Sequence, residues 1–310
     1  MFNIYFPSFL PSPSYNLPLT LISLEEWSLI TIKGFNAIKY IQNQLTCNIN
    51  SLSNNKHCFS AHCNNKGKVI GCMSVFYYKN NISYIIRKNV KDNQIKNFKK
   101  YDILSEIKID KNEKIILLGL AGLEATITLN KIFKKIPNLS SSVIKNKDTT
   151  IIYYHLPSPR YILITTLKTC NILIKKLKNI VIFNNSKQWL ALDIEAGYPI
   201  IDLINSEKFI PQTININKLE GISFNKGCYI GQEIIAKTEY LNINKKTLYL
   251  VEINKLKYIP KLKGSLKIKK NKYLNRIGKI LTICILNNGN IWLQIILNKK
   301  FNFNKNLLKY

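Results

Sequence analysis

Acidic residues are scarce in this chain: 17 Asp and Glu stand against 46 Lys and Arg, a formal charge of +29 over 310 residues. No stretch reaches the roughly 20 consecutive apolar residues that span a bilayer. The longest candidate, Ile115 to Leu123, is short and broken by Gly119 and Gly122. The opening MFNIYFPSFLPSPS has no basic segment and is cut by prolines, so it does not read as a secretory signal, and a cytoplasmic protein is expected. Seven cysteines occur without C-x-x-C spacing, and a chain of this size needs no disulfide staples; reduced thiols are expected. There is no G-x-G-x-x-G, no P-loop and no Ser/His/Asp spacing that reads as a triad, and His155 stands alone.

The cation excess has two readings. A field of that sign attracts polyanions, RNA first among them. Nearly all the cations are Lys, however, accompanied by many Ile and Asn, and those three residues share A- and T-rich codons. Base composition alone produces the same surplus. The excess is steepest in residues 241–310, where sixteen Lys and Arg meet one acid, Glu252, for a local charge of +15.

Hydrophobic residues make up 46% of the chain, enough for a sizeable core. Leu21 to Ile32 reads as a strand broken by an acidic turn at Glu25 and Glu26. Behind it Ile38, Ile41, Leu45 and Ile49 fall at near-helical spacing, with Asn36 as N-cap. Residues 56–87 read as a β-meander, Val90 to Tyr101 as a helix, and the stretch from Lys114 to Leu177 alternates strand and helix. Beyond Tyr240 only strands are expected, and Asn287-Asn288-Gly289 predicts a type I′ hairpin. Trp292 lies in one of those strands and is expected in the core. The alternation gives an α+β fold.

The cluster HCFSAHC holds His57, Cys58, His62 and Cys63. On a strand Cys58 and His62 face one side and His57 and Cys63 the other, so four metal ligands do not converge, and no metal site is expected. The richest segment is Asn225 to Glu239, NKGCYIGQEIIAKTE. Gly227 and Gly231 permit sharp turns around Cys228, Lys226 offers a cation two residues away, and Ile234 and Ile235 suggest a helix beginning near Gly231. Together these describe an accessible thiol of depressed pKa. The same residues also suit a buried cysteine at a tight turn, with Lys226 solvated.

KGCYIGQE resembles the signature of the YgfZ family, a branch of the folate-binding superfamily that includes the glycine-cleavage T-protein. The similarity extends through GFNAIKYIQNQLT from Gly34, AHCNNKGK from Ala61, QWLALDIEAGYP from Gln188, and Phe209 to Pro211. It implies a three-domain ring with a C-terminal β-barrel-like domain. The implied divisions are residues 1–50 with 112–240 as the folate-binding core, 51–111 as an inserted domain and 241–310 as the barrel. It also implies tetrahydrofolate bound in a central cavity, with aromatic contacts from Trp27 and Trp189 and a carboxylate, Glu195, for the pterin's amino-pyrimidine edge. The family's functional cysteine matches Cys228, and Lys226, Gly227, Gly231, Gln232 and Glu233 complete the motif. The function so implied is that of a monomeric accessory factor for tRNA modification and for maintaining iron–sulfur enzymes, with tRNA or tRNA-modifying iron–sulfur enzymes as partners and no reaction assigned to the chain itself. Two other readings stand beside it. One is a folate-dependent one-carbon or aminomethyl transferase, although T-proteins carry Asp where Cys228 stands and Ser83 to Val90 supplies no second acid. The other is a basic RNA-binding protein.

Overall fold

A computed structural model describes residues 4–100, 106–254, 265–270 and 273–300, with 265–270 and 273–277 described as backbone only. The chain begins with β1 (Thr20–Ser23), β2 (Trp27–Lys33) and the short helix α1 (Ala37–Gln42). There follow β3 (His57–Cys63), β4 (Val69–Tyr78), β5 (Asn81–Arg87), α2 (Lys91–Lys99) and β6 (Lys108–Asp110). The middle holds β7 (Ile115–Ala121), α3 (Ala125–Ile132), β8 (Val143–Lys145), β9 (Thr149–Tyr154), β10 (Arg160–Thr166), α4 (Leu167–Leu177), β11 (Ile182–Asn184) and α5 (Ser186–Glu195). The last part holds α6 (Gln232–Tyr240), β12 (Lys246–Ile253), β13 (Ser265–Lys270), β14 (Tyr273–Ile285) and β15 (Ile291–Asn298).

These strands form three sheets in the orders β11-β1-β7-β10-β9-β8, β3-β4-β5-β2-β6 and β12-β15-β14-β13. The acidic turn at Glu25 and Glu26 does more than interrupt a strand, because β1 and β2 on either side of it join different sheets. β2 pairs antiparallel with β5, from Trp27 opposite Arg87 to Ile32 opposite Ile82. The second sheet therefore takes its first strand from Trp27–Lys33. Pairing across more than 50 residues leaves no local trace in a strand's own sequence.

Apolar clusters join the sheets two by two. Ile22, Leu117, Ile152 and Ile162 of the first sheet meet Leu29, Phe76 and Ile85 of the second. Ala61, Val69 and Cys72 of the second meet Leu248, Leu281 and Ile296 of the third, with Ile214, Tyr229 and Ile235 between them. Ala191 and Ile194 of α5 meet Cys284 and Trp292 of the third sheet. Buried apolar surface stabilises by about 25 cal/mol per Å², so two of these seams hold sheet against sheet and the third holds α5 against the last sheet.

Two turns show how local chemistry sets the path. Between β4 and β5, Lys79 and Asn80 both have positive φ, 48° and 63°, the backbone of a two-residue type I′ hairpin. The hairpin expected to be type I′, at Asn287-Asn288-Gly289, is a three-residue loop. Only Gly289 has positive φ there, 82°, and Leu286 N donates to Asn290 O across the loop's base. The first helix ends earlier than its periodicity predicts: Leu45 bridges to His62 and Thr46 N donates to Ala61 O, so the chain leaves α1 to run along β3.

Candidate functional site

The signature segment is fixed from beneath. Lys226 is buried, and its Nζ donates to the carbonyls of Gln42, Leu45 and Cys47, the last two at 2.8 and 2.7 Å. Gln42 is the last residue of α1, where the helix offers its carbonyl no further N–H partner, and Leu45 and Cys47 lie in the segment that follows. Burial pushes the Lys226 ammonium down to about 8, so it remains protonated at neutral pH. Its Nζ also lies 5.0 Å from the Tyr229 ring centroid. The expectation that Lys226 serves Cys228 is corrected here. The ammonium is committed to three carbonyls, and the thiols that feel its charge are Cys47 and Cys58.

Cys228 itself is exposed, alone in that among the seven cysteines. Gly227 beside it is exposed as well, and Ile230 N donates to Asn43 O, so the turn is pinned on both sides of the thiol. Gly231 follows with φ +82°, and a Cβ there would stand 2.6 Å from Asn64 O and 2.9 Å from Gly67 Cα. The position thus requires glycine twice, for its backbone angle and for its close approach to the β3–β4 turn. Gln232 opens α6 and accepts from Tyr229 N through Oε1 at 3.3 Å, while Glu233 projects to solvent in the helix's first turn.

A second focus lies where the sheets converge. A cavity of about 470 Å³, counted to its open mouth, is lined by Trp27, Phe59, Arg87, Tyr154, Trp189, Asp193 and Tyr198, with Cys72, Met73 and Ser74 of β4. Only about 40 Å³ of it admits a body the size of water. A neighbouring depression of about 510 Å³ lies across Trp27, the one residue lining both. The half-buried Trp27 thus lies at the border of the two spaces, with the Arg87 guanidinium 4.5 Å from its ring centroid.

Trp189 is fixed more firmly. It is fully buried on α5 and packs over Gly119, where a Cβ would fall 2.7 Å from Cε3 of the indole. Arg160, also fully buried, lies 4.3 Å from the Trp189 ring and 5.3 Å from that of Tyr154, and its Nη2 meets Asp193 Oδ1 at 2.7 Å. Burial raises the Asp193 carboxyl against the pull of Arg160. Tyr154 Oη is hydrogen-bonded to Ser74 Oγ at 2.8 Å, tying the first sheet to the second.

Both aromatic residues expected at a ligand cavity line this one. Glu195 does not line it. Its Oε2 accepts from Ser14 N at 2.9 Å and its Oε1 from the Ser14 hydroxyl at 2.7 Å, so the carboxylate anchors the N-terminal segment. The carboxylate that does line the cavity is Asp193, two residues earlier and on another face of α5. Cys228 does not line it either. Asp193, Arg160 and Tyr154 went unseen in the sequence. One signal was available: a chain whose cations are nearly all Lys keeps Arg at 87 and 160, where a planar fork can meet a carboxylate and stack on an aromatic ring at once.

The HCFSAHC strand divides its side chains among different surroundings. His57 lies against Ser142 and Tyr154, His62 against Phe98, Cys63 in the seam with the third sheet and Cys58 at the edge of another core. Among the described residues no group of three His, Cys, Asp or Glu side chains is placed to hold a metal ion, and no helix is long and apolar enough to cross a membrane.

The architecture is that of the glycine-cleavage T-protein. The structure aligns with the aminomethyltransferase T of the glycine cleavage system from Bartonella henselae at a TM-score of 0.72, over 94% of this chain and 86% of that one, with 13% identity. Residues 244–308 match the family model "YgfZ, beta-barrel domain". Over 94% of this chain, the tRNA-modifying protein YgfZ of Sodalis glossinidius is 44% identical across 89% of its own length. That of Buchnera aphidicola subsp. Schizaphis graminum is 46% identical, over 94% of this chain and 91% of its own. The chain belongs to the YgfZ family.

Proposed function

We propose that this chain binds a reduced folate in the cavity between Trp27 and Trp189 and acts as a folate-dependent accessory factor in tRNA modification and in maintaining iron–sulfur enzymes. The observation that carries the reading is the cavity's composition: five aromatic rings around one buried carboxylate. A flat pterin or benzoyl ring is complemented by Trp27, Tyr154, Trp189 and Tyr198. Asp193 is the carboxylate suited to accept paired N–H groups from an amino-pyrimidine edge, the role that resemblance alone gave to Glu195. Arg87 Nη1 is buried with no hydrogen-bond partner among the described residues, a donor left over for a ligand. The cavity is narrow, so admission of a folate requires movement of a wall. Trp27 is the half-buried ring on the boundary and Trp189 the packed one, which makes Trp27 the moving part. When bound, the folate would supply one-carbon carrying capacity; the chain's own residues bind and orient it.

The exposed Cys228 is the group left to act on a partner, and the names of the relatives point to tRNA modification as the process served. A titration with tetrahydrofolate tests the site through tryptophan fluorescence. Saturable quenching is expected. Trp27→Ala, at a half-buried position, should fold and lose most of the affinity, and Asp193→Asn should weaken binding about tenfold, the roughly 1.4 kcal/mol of one charge-assisted pair. Parental affinity in a folded Trp27→Ala, Trp189→Ala double variant would remove the site.

A further inference from the structure

Beside the segment that leads into the signature lies an open cavity of about 1090 Å³, counted to its mouth, lined among others by Cys47, Cys58, Ser51, Phe224 and Tyr240. It shares no residue with the aromatic cavity. The backbone brings the two thiols to it. Residues 45–47 run along β3, with Leu45 opposite His62, Thr46 N donating to Ala61 O and Cys47 N donating to Ser60 Oγ at 3.2 Å. Cys58 stands two residues before Ser60 on the same strand, so Cys47 and Cys58 are diagonal neighbours across the two segments and both line the cavity. Cys47 O accepts from Lys226 Nζ at 2.7 Å, so an ammonium is built in next to the pair.

We propose that Cys47 and Cys58 are a redox pair that closes to a reversible disulfide when a small peroxide enters this cavity. The pair is already divided into roles. The neighbouring Cys58, with help from Ser60 and Lys226, lowers the Cys47 thiol, while Cys47 and burial raise Cys58 well above the ordinary thiol range. Cys47, whose own carbonyl carries the Lys226 ammonium, is the nucleophile, and Cys58 is the resolving thiol. The Cys47 thiolate attacks one peroxide oxygen, the O–O bond breaks, and the departing hydroxide takes a proton and leaves as water. Cys58 sulfur then attacks the sulfenic sulfur, the S–O bond breaks, and the hydroxide leaves as water with the Cys58 proton. Two thiols lose two electrons and two protons, and the peroxide, which gains them, becomes two waters. A small-molecule thiol reverses the change by exchange. Because Lys226 rests on the Cys47 carbonyl and precedes Cys228 by two residues, the disulfide would form against the anchor of the exposed turn.

The test uses the full chain carrying Cys228→Ser, which removes the exposed thiol from intermolecular chemistry, and it needs no folate. Treatment with hydrogen peroxide should consume two titratable thiols per chain, restored by dithiothreitol. Trypsin cleaves after Lys56, between the two cysteines, so a non-reducing digest should give one linked peptide pair containing Cys47 and Cys58. Cys58→Ser, at a half-buried position, should fold and abolish both the linked pair and the reversible thiol loss. Folded protein that gives no Cys47–Cys58 peptide, or that loses thiols equally with Cys58 replaced, overturns the proposal.

Discussion

Replacing Lys226 with Met separates the two roles that one motif combines. Methionine keeps the apolar stem and removes only the ammonium, leaving the carbonyls of Gln42, Leu45 and Cys47 without their shared donor. Hydrogen bonds to a charged group contribute about 1.5–3 kcal/mol each, and a buried acceptor left without a partner costs about 1–3 kcal/mol. Water entering from the adjacent cavity can satisfy some of the three, and removing a buried charge recovers its desolvation. A net loss of about 3 kcal/mol is the expected result, and chemical unfolding in urea measures it. Cys228→Ala is the control. An exposed thiol with no packing role should leave stability within about 0.5 kcal/mol, while tRNA modification fails in cells that depend on the protein. A Lys226→Met protein as stable as the parent would refute the reasoning that the ammonium holds the end of α1. A folded Cys228→Ala protein with full complementing activity would leave the motif as a structural turn.

Acid sensitivity should pass through His62, whose burial lowers it to about 3 from the ordinary 6.5. A histidine depressed in the folded state gives its full stability above pH 6.5 and loses it as pH falls toward about 3, so at about pH 5 some 2 kcal/mol should be gone; equal pH slopes for the parent and His62→Gln in urea melts would refute this. If the basic C-terminal domain engages RNA, log affinity for tRNA should fall linearly with log salt. Replacing Lys267, Lys269 and Lys270 of β13 with Gln, together with Lys272, which lies outside the described residues, should flatten that slope by up to about 3, and an unchanged slope would assign the lysine excess to base composition.

Local order was the most legible part of the sequence. The meander over 56–87 appears as β3, β4 and β5, and the strand–helix alternation expected from Lys114 to Leu177 appears as β7 to α4, because alternation and turn residues lie within a few positions of one another. Partnership between distant segments was not legible. Nothing in WSLITIK tells that Trp27–Lys33 joins β5 and not β1, and nothing in KGCY tells that the Lys226 ammonium turns inward to carbonyls some 180 residues earlier. For Lys226 and Glu195 each charge is spent on a partner other than the one expected, Lys226 on three carbonyls where its sequence neighbour Cys228 was expected and Glu195 on Ser14 where the resemblance implied a pterin edge. Asp193 stayed invisible for the complementary reason: only the helical turn between it and Glu195 decides which carboxylate faces the cavity.

The aromatic cavity and the exposed thiol lie on different surfaces, and the β3–β4 hairpin connects them. Its strands supply Phe59, Cys72, Met73 and Ser74 to the cavity wall, and Ser74 holds Tyr154 there. Its turn carries Asn64 and Gly67, against which Gly231 packs so closely that no side chain fits. Ile234 of α6 lies over the same Gly67, at the distance where an added Cβ would meet it at 3.1 Å. The turn is thus in contact with the segment that presents Cys228, and the hairpin's register is fixed by the ladder between its strands. Gly231 against the hairpin and the Lys226 ammonium on the carbonyls of Gln42, Leu45 and Cys47 hold this short loop from two sides, and the Cys228 thiol between them is exposed.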